Sequence, residues 1–222
     1  MDFTIGGIRD IRSGSRRRGR TDECTAAAEF TGLWGWDVVP GARATGGCCS
    51  CGRTGADGRG RCGARGAHPL EGAPVIPAGS TLDEVARAWA RFPGATVMLP
   101  VGRSFDVLEV GATAGRRALV RLERMGLPLG PVTLTPDHRA QFLVAPGAAE
   151  GLPRLLYRMG WDGAALDLRA LGPGDHVTAP PSDRGGLGPV RWLRAPGLDP
   201  ARPPQAHLLL GTLAYAAHRS DR

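Results

Sequence analysis

The stretch Ser104-Phe105-Asp106-Val107-Leu108-Glu109-Val110 sets two carboxylates in an otherwise apolar run. Its β-branched and aromatic content predicts a strand. Period-two alternation puts Asp106 and Leu108 on one face and Val107 and Glu109 on the other, so the two acids do not form a single pair in an unbroken strand. Burying a carboxylate is costly unless it points to a site or to solvent. This strand is therefore both a core element and a place to look for chemistry.

Outward from it, the pattern mixes helices and strands. Upstream, Asp22 can cap a helix running to Leu33, with Gly35 as its stop, and Trp36 to Pro40 reads as a short strand. Thr81-Leu82-Asp83-Glu84 is a capping-box pattern opening a helix with Val85, Ala88, Trp89 and Phe92 on one face. A strand is expected at Ala95 to Leu99. Downstream, a helix from about Thr113 to Met125 turns Ala118, Leu119, Leu122 and Met125 inward and stops at Gly126. Arg117, Arg121 and Arg124 fall on its outer face, which reads as a solvated stripe able to meet a phosphate backbone. Strands follow at Val132–Thr135 and Ala140–Val144, then a helix near Leu152–Met159. Short strands are expected at Ala165–Arg169, Asp175–Thr178 and Val190–Leu193, and a last helix at Gln205–Ala217. Without strict βα alternation the expected class is α+β rather than a doubly wound sheet. The five tryptophans, Trp34, Trp36, Trp89, Trp161 and Trp192, are spread through these elements as expected core anchors.

Composition bounds the rest. With 34 glycines and 19 prolines in 222 residues, the chain approaches the range of about 25–30% at which low complexity becomes a concern. A small, loop-rich globular domain over 22–218 is the expectation. No apolar run reaches the roughly 20 residues of a bilayer span, so no membrane role is expected. Met1-Asp2-Phe3-Thr4 shows no secretory signal, which makes a cytoplasmic setting the default. All 28 basic residues are arginine, against 21 acidic ones, for a net charge of +7. Arginine suits phosphate recognition, but GC-rich coding yields the same bias. Arg12-Ser13-Gly14-Ser15-Arg16-Arg17-Arg18-Gly19-Arg20 cannot bury anything and reads as part of a flexible basic arm over 1–21. There is no phosphate-binding P-loop and no nucleophile elbow.

Residues 41–79 lose all periodicity and hold four of the five cysteines. A loop this long inside a domain is functional or held by something other than a core. Cys49, Cys51, Cys62 and His68 supply three thiolates and an imidazole, a donor set for a structural zinc ion. Cys48 in place of Cys49 would restore a two-residue gap to Cys51, and unconnected reduced thiols are the plain alternative. Disulfides are disfavoured in a cytosolic setting. Cys24, on the apolar face of its helix, reads as a core residue.

Several segments together resemble the bifunctional DNA primase/polymerase N-terminal (Prim-Pol) domain of the archaeo-eukaryotic primase superfamily, in versions carried by GC-rich bacteria. They are Trp34-Gly35-Trp36-Asp37-Val38-Val39-Pro40, the cysteine loop ending Gly66-Ala67-His68-Pro69, Trp89, Phe105 to Val110, Asp167-Leu168-Arg169, and Ala179-Pro180-Pro181-Ser182. The likeness runs from about Ala26 to Trp192. It implies an RNA-recognition-type antiparallel sheet joined to a small α/β lobe. It also implies template-directed nucleotidyl transfer with DNA and nucleoside triphosphates as partners, and Mg²⁺ or Mn²⁺ at the catalytic centre. A helicase or other replication protein is expected as a separate chain.

Carried over residue by residue, the family's motifs match in part. Glu109 stands where the first metal-binding acid belongs, but Gly111 takes the place of the second. Gln141 stands where a phosphate-contacting His is expected. Asp167 matches the third acid, followed by Arg169. Asp106 and His138 are the neighbouring groups left to compensate. His176 lies near where the resemblance puts the nucleotide, and also reads as a half-buried structural histidine. The expectation is a primase/polymerase architecture with a degenerate catalytic centre. The alternatives are a non-catalytic, zinc-stabilised module binding nucleic acid or protein, and a zinc-stabilised interaction protein with no nucleic-acid role.

Overall fold

The computed structural model describes residues 23–45, 48–51, 68–197 and 202–220. The arm at 1–21 and Cys62 lie outside them. Among the described residues a first helix, α1 (23–32), leads into β1 (Val39–Gly41) and a small hairpin of β2 (Ala44–Thr45) and β3 (Cys48–Cys49). After α2 (Leu82–Ala90) come β4 (Thr96–Pro100), β5 (Asp106–Gly111), α3 (Ala112–Arg124), β6 (Val132–Leu134), β7 (Arg139–Val144) and α4 (Ala148–Arg158). The chain closes with β8 (Leu168–Leu171), β9 (His176–Thr178), β10 (Arg191–Arg194) and α5 (Ala206–Ser220).

The α+β expectation holds. β5-α3-β6-β7-α4-β8 is a βαββαβ unit, and its strands lie in the order β8-β5-β7-β6 with β10 added at the edge, every pair antiparallel. This is the split-βαβ arrangement of RNA-recognition-type sheets. β1, β4 and β9 form a second antiparallel sheet in the order β1-β4-β9.

Alternation along β5 and β7 decides what each face meets. Leu108, Val110, Phe142 and Val144 point to the side covered by α3, α4 and α5, where they pack with Ala118, Leu122, Leu209, Leu210 and Leu213. Val107 and Leu143 point the other way, into a second cluster with Phe30, Trp36, Val38, Val97, Leu99 and Phe105 from the smaller lobe. Phe30 lies 5.8 Å from Trp36, ring centre to ring centre, and 6.3 Å from Trp192 of β10, so an aromatic seam ties the lobes together. Fully burying side chains of this kind stabilises by about 1.5–3 kcal/mol each. α3 sits close because Gly115 presents no side chain to Ala140 of β7.

Local signals fare unevenly. Thr81 and Glu84 form both halves of the capping box, and Gly126 ends α3 with a positive φ. The expectation that Met125 turns inward is corrected, for its side chain is exposed beyond the last turn. The strand read at Ala165–Arg169 begins instead at Leu168, where pairing with Val110 starts. The helix read from Leu152 starts a turn earlier, at Ala148, with Pro153 inside it. Asp106 accounts for that extension, since its Oδ2 accepts the Ala149 N–H at 2.9 Å and caps α4 from a neighbouring strand. Trp161 meets the His218 ring edge-on and lies outside both core clusters.

Gly115→Ala should destabilise the protein by about 1–3 kcal/mol, because its methyl would collide with Ala140. Urea denaturation would measure it, and an unchanged midpoint would show that α3 can lift from the sheet at no cost.

Candidate functional site

Glu109 is on the sheet face away from the helices and is wholly buried. Strand register puts Arg169 of β8, Gln141 of β7 and, beyond it, Thr133 of β6 in the same row. Each reaches toward its neighbour. Arg169 donates to Glu109 Oε1 from Nε at 2.8 Å and lies 2.7 Å away through Nη2. Gln141 Nε2 donates to Oε2 at 2.8 Å, and Thr133 Oγ1 donates to the Gln141 carbonyl at 3.0 Å. A carboxylate can be buried only when its charge is paired and its lone pairs are filled, and this row does both.

The adjacent row holds Asp167, Gly111 and Arg139. Gly111 pairs with Arg139 across β5 and β7. The Arg139 side chain donates from Nε to Glu109 Oε1 at 3.1 Å and from Nη1 to Asp167 Oδ2 at 2.5 Å. A Cβ on Gly111 would stand 2.9 Å from that same Asp167 oxygen. The missing side chain thus leaves room for the Asp167 carboxylate at the place where it meets the Arg139 guanidinium. The hydrogen bond from Arg139, with smaller help from the Gly111 N–H and Arg169, holds the Asp167 carboxyl below its usual range. Asp167 in turn is the main reason that the Arg139 guanidinium is held above its own.

Two carboxylates and two guanidiniums sum to zero charge. A catalytic Mg²⁺ needs oxygen ligands in near-octahedral array, drawn from carboxylates free to bind it. Here Glu109 and Asp167 already hold a cation, and Gly111 offers no ligand. The donor set does not fit a divalent metal in this arrangement.

The remaining candidates are dispersed. Asp106 is buried on the helix side of β5 as the α4 cap, across the sheet from Glu109. His138 is exposed in the β6–β7 turn with φ 59°, beside Arg139, and the turn is held by the Asp137–Arg184 ion pair at 3.2 Å. His176 is on β9 of the other sheet, opposite Pro100, and burial lowers its imidazole pKa. Among the described residues no hydrogen bond or ion pair joins His176 to the Glu109 cluster. Gln141 is buried with both ends of its amide engaged. Arg139 is a residue of the site that no sequence motif marks. Alternation does place it on the Gln141 face, but only the pairing of β7 with β5 brings it to both acids.

The cysteine loop forms a second cluster. Pro69 bridges to Gly41, and the Ala42 N–H donates to the His68 carbonyl at 2.8 Å, which returns residue 68 to the β2–β3 hairpin. Ligand atoms of Cys49, Cys51 and His68 all lie within 4.8 Å of one another, with Cys49 Sγ 3.5 Å from His68 Nε2. Bond lengths of about 2.0–2.3 Å to a tetrahedral ion are compatible with that spacing. These three residues can hold a metal.

The chain matches the family described as "Bifunctional DNA primase/polymerase, N-terminal" over residues 27–206, and it belongs to that family. No curated protein and no solved structure matches it. Among the described residues, no helix is long and apolar enough to cross a membrane.

Two outcomes test the bridge. Arg139→Ala should cost about 1–3 kcal/mol in urea denaturation, because it strips donors from a buried carboxylate. A native-like midpoint would mean that Arg169 and Gln141 suffice. Because the folded pKa of Asp167 is depressed, its contribution to stability is complete above its unfolded value, near 3.9. It is lost as pH falls through the lower folded value. Asp167→Asn should therefore flatten the decline of Tm below pH 4, and an unaltered acid limb would show the pair to be energetically silent.

Proposed function

We propose that this domain binds nucleic acid and nucleotide phosphates in the primase/polymerase manner but has lost, or nearly lost, two-metal nucleotidyl transfer. The observation that carries this reading is the Arg139 guanidinium between Glu109 and Asp167. A guanidinium has a single charge and no open coordination position. It neutralises the acids yet cannot clamp the attacking and leaving oxygens of an in-line displacement. Buried Gln141, in place of a histidine, likewise has no positive charge to offer a phosphate, and its amide is engaged by Glu109 and Thr133. Phosphate recognition falls to the rim of the cluster, where the Arg169 side chain is 59% exposed and His138 is exposed in the adjoining turn.

Primer extension on a DNA template with Mg²⁺ or Mn²⁺ should give no product above background, while labelled single-stranded DNA should bind with an affinity that falls steeply with salt. Robust synthesis abolished by Asp167→Ala or Glu109→Ala would overturn the reading.

The cysteine cluster supports the companion part of the proposal, a structural zinc held by Cys49, Cys51 and His68, with Cys62 as the fourth ligand. Zinc supplies to this loop the folding energy that its glycine-rich sequence lacks. Metal analysis of purified protein should find one zinc per chain, and a chelator should lower Tm. Folded protein that is free of metal and indifferent to the chelator would remove it.

A further inference from the structure

α3 and α5 pack side by side on the helical back of the large sheet, and their outer surfaces enclose a groove of about 280 Å³. Arg117 and Arg121 line it from α3, and Thr212, Tyr215 and Arg219 from α5. Tyr215 organises the charges. The Arg121 guanidinium lies 5.6 Å from its ring centre and that of Arg219 6.0 Å, while Arg219 Nη1 is 3.4 Å from the phenol oxygen. A ring face attracts cations and so offsets part of the repulsion between two like charges held at one place. Arg117 adds a third to the same cavity.

Among the described residues, nothing acidic lines this groove. α5 has no acid along its length, and the one acid of α3, Glu123, pairs with Arg194 at 4.0 Å. Three converging guanidiniums, with no counter-charge among the described residues of the groove lining, mark a surface complementary to an anion. The shape of the charge selects which anion. Arg117, Arg121 and Arg124 recur along α3 at rises of about 6 Å and 4.5 Å, a row suited to successive phosphates of one strand rather than to one free phosphate. The hydroxyls of Thr212 and Tyr215 add neutral donors of the kind that position a sugar-phosphate backbone.

We infer that the α3–α5 groove is a second nucleic-acid contact, gripping the backbone of a single strand on the opposite side of the sheet from Glu109. It rests on the nucleic-acid reading above, but is independent of whether the Glu109 cluster is catalytic.

The test compares three full-length proteins by fluorescence anisotropy with a labelled oligothymidylate across a salt series. They are the natural chain, the triple variant Arg117→Ala/Arg121→Ala/Arg219→Ala, and a charge-matched control, Arg91→Ala/Arg154→Ala/Arg158→Ala, whose exposed arginines lie outside the groove. The groove variant should bind at least tenfold more weakly at low salt. Its slope of log affinity against log salt should be shallower by about 2, or roughly 0.7 for each of three lost phosphate contacts. The control should change far less. A matching set of Arg→Gln substitutions guards against a loss of helix stability. Equal losses in groove variant and control would overturn the groove while leaving the nucleic-acid reading intact, and a natural chain that binds no oligonucleotide at low salt would overturn both. Displacement by polyglutamate as efficient as by unlabelled oligonucleotide would reassign the groove to an acidic protein.

Discussion

A single buried carboxylate organises the inner face of this sheet. Glu109 has no exposure to water, and an unpaired charge there would be untenable at any plausible interior dielectric. Arg169, Arg139 and Gln141 come from the two strands that flank β5, so satisfying Glu109 requires β8, β5 and β7 to be paired in one register. A slip of one residue would turn Glu109 toward the helices and Leu108 toward the cleft. The apolar rows on either side set that register as well, but the polar row makes any other choice costly.

Membership of the family settles the fold and not the chemistry, which depends on the side chains around this carboxylate. The split-βαβ sheet carries two acids, Glu109 and Asp167, close together on its open face. Between them lies the Arg139 guanidinium. Gly111 has no side-chain ligand and no Cβ; the Asp167 carboxylate lies close to where a Cβ would be and is met there by the guanidinium of Arg139, its cross-strand neighbour. Once the arginine is there, an acid at position 111 would crowd Asp167, so the glycine and the arginine suit one another. Asp106, which looks in sequence like a natural replacement, is committed on the far side of the strand to capping α4.

Much of the architecture was legible along the chain because its signals are local. The Thr81–Glu84 box, the stop at Gly126 and the alternation of β5 need only a few consecutive residues to act. The misread elements are those whose limits depend on something distant. α4 gains a turn from a cap supplied 43 residues upstream, and β8 begins where β5 is available to pair, not where its β-forming residues start. The candidate site divides in the same way. Glu109, Asp167, Arg169 and Gln141 could be picked out by motif, as could Cys49, Cys51 and His68, whereas Arg139 and the Tyr215–Arg219 side of the groove had no motif to reveal them.

The sequence alone determined the α+β class, the family and the two faces of β5, because periodicity, capping and motif spacing are properties of neighbours on one chain. Only tertiary structure decided that a guanidinium bridges Glu109 and Asp167 and that arginines 98 residues apart line one groove. Charge pairing falls off with distance in space and is indifferent to distance along the chain, so it becomes defined only after strands and helices have been brought together.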